Sequence, residues 1–122
     1  MIDKYRIIIK DVIQSENAIT SESGEILSNK LSEIYQEFLK ENTVETSKEE
    51  KLKINLSFEG ISELTPDFLY KSLESFKINE IVKKFVFTKI ETKEILDVIK
   101  LTISNLIMLS NQNEYGFKEN HE

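Results

Sequence analysis

The chain has 122 residues, 39% hydrophobic and 31% charged, which suits one domain around one core and is too apolar for a disordered segment. Sixteen basic residues against 22 acidic ones leave a formal charge of −6, which disfavours nonspecific binding to nucleic-acid phosphates. There is no cysteine, so disulfides, thiol catalysis and cysteine–zinc sites are excluded. The acidic balance serves solubility and also fits a basic protein partner. Charges interrupt the short apolar run at residues 1–6, so no signal peptide is expected there. Asp97, Lys100, Thr102, Ser104 and Asn105 break the later apolar stretch, so no membrane span is expected and the cytoplasm is the default location.

Residues 5–13 are rich in β-branched side chains and predict a first strand. Residues 17–23 are small and polar, a connection. Ile26, Leu27, Leu31, Ile34, Tyr35, Phe38 and Leu39 then recur at three- and four-residue steps, the stripe of an amphipathic helix. Ser21 or Ser23 can cap it, and Glu22 and Glu25 favour its positive end. Gly24 in the first turn costs helix stability unless the backbone there must pass close to a neighbour. Residues 41–51 are polar and charged and predict a long, solvated, mobile loop, either a tolerated insertion or a recognition arm.

Leu52, Ile54, Leu56 and Phe58 alternate with polar residues and predict a second strand, followed by a turn at Glu59 and Gly60. Thr65-Pro66-Asp67 is the clearest helix start in the chain: a capping hydroxyl, a proline at the first helical position and an acid against the dipole. Leu64 can staple onto Leu69, and the helix should bury Phe68, Leu69, Leu73 and Phe76. Residues 78–82 lead into a short third strand at 84–88.

A long helix is expected from about 92 to 110. Leu96, Ile99, Ile103, Leu106 and Ile107 form one face of it, and Val98, Leu101 and Met108 form a second. The second face predicts cover on two sides, either by another helix of the same chain, by a partner helix or by a homodimer through helix 92–110. The organisation is therefore one α/β domain at 1–110 and a polar tail at 111–122. Its β-α-β-α-β-α order gives a mostly parallel sheet flanked by helices.

No catalytic set emerges. His121, the single histidine, lies in the tail, which argues against a Ser/His/Asp triad or a histidine metal centre. The carboxylates are scattered, and no pair is placed for acid/base work. Three glycines cannot make a phosphate loop, and Arg6 is the sole arginine, which argues against direct nucleic-acid readout. Neither a metal, a cofactor nor enzyme activity is expected. The helix start at Thr65 can offer free amides to an anion or to a partner carboxylate, or satisfy them itself.

The segment INLSFEGISELTPDFL at 54–69 resembles the core of the STAS-like domain family, small bacterial relatives of anti-sigma factor antagonists. SESGEILSNKL at 21–31 is similar to the first helix of that family, and FVFTKIETKEILDVIKLTI at 85–103 to its last strand and closing helix. The resemblance implies a sheet flanked by helices and a non-enzymatic regulatory role. It also implies a serine, at the start of the helix after the second motif, that a kinase with a histidine-kinase-like ATPase fold phosphorylates. Here that place falls at Thr65-Pro66-Asp67. Pro66 cannot accept phosphate and Asp67 is already negative, which leaves Thr65 and Ser62 as the nearby hydroxyls.

The first functional expectation is thus a protein-interaction module that docks a regulatory partner through the junction at 59–69, with Glu59, Glu63, Thr65 and Asp67 as contacts. Two others stand beside it. One is an acidic inhibitor from a phage or mobile element that masks a basic nucleic-acid-binding protein. The other is a small-ligand sensor with a crevice at the strand ends.

Overall fold

A computed structural model describes residues 5–41 and 53–120, with side chains to residue 40 in the first stretch and to residue 111 in the second. The main sheet has strands β1 (Arg6–Ile8), β3 (Ile54–Ser57) and β5 (Phe85–Thr88), in the order β1-β3-β5 with every pairing parallel. Ile7 sits opposite Leu56, and Leu56 opposite Phe87. The middle strand is the most buried, with Ile54, Leu56 and Ser57 fully enclosed and Phe58 enclosed just after it. Helix α2 (Ser21–Glu41) connects the first two of these strands. Helices α3 (Pro66–Leu73) and α4 (Ile78–Lys84) connect the last two, and α5 (Lys93–Asn120) closes the chain. The domain is α/β, with a parallel sheet flanked by helices.

Four small elements decorate this alternation. After three residues of strand the chain turns into helix α1 (Ile9–Ile13), so the long first strand expected at 5–13 is corrected to Arg6–Ile8. The physical reason lies in the spacing. Tyr5, Ile7 and Ile9 are buried at the two-residue period of a strand, whereas Ile9 and Ile13 are buried at the four-residue period of a helical turn. A run of β-branched residues satisfies both periods, and α1 ends on Gln14 at φ 61, ψ 40. The polar stretch read as a connection contains β2 (Asn17–Ala18), which pairs in parallel with β4 (Glu63–Leu64). Helix α4 occupies the stretch that was expected only to lead into the third strand.

The cap of α2 is Thr20, not Ser21 or Ser23. The Thr20 hydroxyl accepts from the Ser23 amide at 3.1 Å, and both serines lie within the first turn. The stripe on α2 buries Leu27, Leu31, Tyr35 and Phe38, while Ile26 and Leu39 are exposed. Tyr35 and Phe38 join Tyr5, Phe76 and Phe85 in an aromatic cluster with centroid separations of 5.1 to 6.3 Å. The stretch read as a mobile loop lies outside the described residues, apart from Glu41 at the end of α2.

The buried seam of α5 runs through Ile95, Ile99, Thr102 and Leu106, so Ile99 and Leu106 of the expected face are buried and Ile95 and Thr102 complete the seam. Leu96 and Ile103 are half-buried, and Ile107 is exposed. The helix packs on α3, α4 and β4. Of the expected second face, Val98 is half-buried, whereas Leu101 and Met108 are exposed, so within the described residues the chain covers α5 on one side. The backbone of α5 continues as helix through Asn120, into the stretch read as a polar tail. Among the described residues no helix is long and apolar enough to cross a membrane.

Candidate functional site

The junction between β3 and α3 is built by local chemistry. The Ser57 hydroxyl accepts from the Glu59 amide at 3.2 Å as the strand ends. The next four residues close a tight turn, with the Ile61 amide on the Phe58 carbonyl at 3.1 Å. Gly60 sits in that turn at φ 77, where a side chain would be strained and would also meet the Lys10 stem. The chain then runs beside β2. The Ser62 amide donates to the Glu16 carbonyl at 2.8 Å and the Thr65 amide to the Ala18 carbonyl at 3.0 Å. Thr65 caps α3 as its residue type predicts, its hydroxyl accepting from the Phe68 amide at 3.2 Å. The same hydroxyl donates to the Ile19 carbonyl at 2.9 Å. One side chain therefore ties the helix start to the loop that precedes α2.

The five residues singled out in the sequence do not form one cluster. Ser62, Glu63 and Thr65 line an open groove of about 520 Å³, together with Ile19 and Leu64 and with Thr92, Glu94 and Ile95 at the start of α5. Asp67 lines a second groove of about 310 Å³ between α3 and α5, with Pro66, Tyr70, Thr102, Asn105, Met108 and Leu109. Glu59 lines neither. It is half of an exposed ion pair with Arg6 at 3.4 Å, a contact worth little in water. Ser62, Glu63, Pro66 and Asp67 are exposed, and Thr65 is half-buried.

The two hydroxyls differ in what they touch. Both the donor and the acceptor capacity of Thr65 is used inside the fold. The exposed Ser62 hydroxyl donates to the Glu16 carboxylate at 2.7 Å, so a phosphate there would face a like charge.

The start of α5 is a component that sequence reading missed as part of the site. Thr92 caps that helix, accepting from the Ile95 amide at 3.2 Å, and the threonine three residues before Ile95 was the available signal. Lys93 is engaged one turn on by Asp97 at 3.0 Å, and that hydrogen bond raises its pKa. Thr102 carried no signal. It is buried in the seam of α5, and its hydroxyl has no hydrogen-bond partner. Among the described residues no group of three or more His, Cys, Asp or Glu side chains could hold a metal ion. His121 lies outside the described residues. No family model, curated protein or solved structure matches this chain.

Proposed function

We propose that this protein is a non-enzymatic, cytoplasmic protein-interaction module that docks a regulatory partner through the junction between β3 and α3. The observation that carries the reading is a rigid and exposed strand-to-helix lip. Pairing with β2 and the two-way bond of Thr65 hold its backbone, while Glu63, Pro66 and Asp67 face solvent. A preorganised lip loses little conformational freedom on binding, which favours recognition without rearrangement. The resemblance of residues 54–69 to the STAS-like family adds the kind of partner, a regulator with a histidine-kinase-like ATPase fold. The contacts are Glu63 and Asp67, with Thr65 as the structural pin between them.

The test reverses both charges and leaves the pin in place. Glu63→Lys with Asp67→Lys should remove the partner from affinity capture in the native host, while circular dichroism stays native. Capture at the wild-type level would take the junction out of the interface.

A further inference from the structure

Among the described residues, Asp67 is the only charged side chain lining the groove between α3 and α5. It is exposed, and no ion pair with a described residue engages it. Roughly half a positive charge at the amino end of α3 offsets part of its field and leaves the site negative. Glu63 and Glu94 in the neighbouring groove have the same sign, so an anion is repelled from this side of the molecule.

The walls suit a particular shape. Pro66, Met108 and Leu109 present apolar surface beside the carboxylate, and the exposed Asn105 amide adds hydrogen-bonding capacity. The volume, about 310 Å³, is at the lower end of small-molecule sites (~300–1,000 Å³) and fits one long side chain better than a cofactor. Beyond the groove, Leu101, Met108 and Leu109 leave an apolar strip exposed on α5. A lysine or arginine combines an apolar stem with a cationic head, as this surface requires.

We propose that the groove anchors a lysine or arginine side chain of the partner protein, its methylenes against Met108 and Leu109 and its cationic head on Asp67. The anchor rests on the docking reading above and supplies its chemistry: a basic residue flanked by apolar ones that cover the strip on α5. The overall charge of −6 steers such a partner toward the protein.

Agmatine, which carries a guanidinium on a four-carbon stem, serves as the probe, with uncharged N-butylurea as its control. In the full chain, the Met108 methyl and the Asn105 side-chain amide should shift saturably in NMR spectra as agmatine is raised to about 20 mM. N-butylurea should bind at least about tenfold more weakly, and Asp67→Asn should abolish the difference between the two. No saturable shift, or agmatine binding in the Asp67→Asn variant that stays as tight as in the wild type, would overturn the anchor. So would a dimer in sedimentation that Asp67→Asn leaves intact and Met108→Glu dissolves, because the strip would then belong to a second copy. If agmatine fails while charge reversal still removes the captured partner, the docking reading stands and the anchor alone falls.

Discussion

A β-carbon on Gly24 would lie 2.6 Å from the carbonyl oxygen of Phe68 and 2.9 Å from the β-carbon of Lys71. Helix α2 therefore crosses α3 at a distance that only glycine allows, and the Ser72 hydroxyl bridges the crossing to the Gly24 carbonyl at 3.3 Å. The glycine that weakens α2 as a helix is what lets α3 sit where its amino end forms the lip.

Gly24→Ala should accordingly destabilise the fold, even though alanine is the better helix former by about 1 kcal/mol. Backbone is the obstacle, so the helices must separate, and a net loss of about 1–3 kcal/mol is expected in urea denaturation. An unchanged or raised midpoint would show that the crossing is looser than described.

Thr65 has two bonds to lose. Thr65→Val keeps the shape but removes both the cap on Phe68 and the tie to Ile19, and should cost about 1–2 kcal/mol. Thr65→Ser keeps both and should retain nearly full stability. Equal midpoints for the two variants would show that the hydroxyl does not pin the lip.

Burial pushes the Tyr35 phenol from 10.0 up to about 12, and the charge of Glu80 and a hydrogen bond to it add to the rise. The unfolded chain releases this proton near pH 10, and the folded chain holds it until about pH 12. The stabilisation is thus complete below pH 10 and is lost as the pH rises through that window. In Tyr35→Phe the alkaline decline of stability should be shallower by one proton. Identical slopes for the two proteins would place the phenol in a solvated setting.

The turn at Gly60 and the start of α3 were the most legible parts of this chain, because their signals are local, whereas the caps of α2 at Thr20 and of α5 at Thr92 were not read. Thr65 as a cap, Pro66 and Asp67 in the first helical turn and Gly60 in its turn do locally what their types imply, while the tie from Thr65 to Ile19 is long-range and was not legible. Gly24 was legible as a cost, but the neighbour that explains it is 44 residues away along the chain at Phe68. The two-residue strands β2 and β4 left no pattern, since each exists only through pairing with the other. Residues 9–13 misled because the isoleucines at 7–9, with Val12 and Ile13 after them, fit strand and helix periods alike. In α5 the apolar residues surround the helix, so its buried seam was set by packing on α3 and could not be chosen from spacing. The same ambiguity hid the groove beside Asp67, whose far wall is that helix.

The most direct test of recognition at the lip is the affinity of the captured partner, measured by calorimetry, for the wild-type chain and for the variant carrying Glu63→Lys and Asp67→Lys. The dissociation constant should rise by at least about tenfold while both chains melt as folded domains. Equal affinities would contradict recognition at this surface.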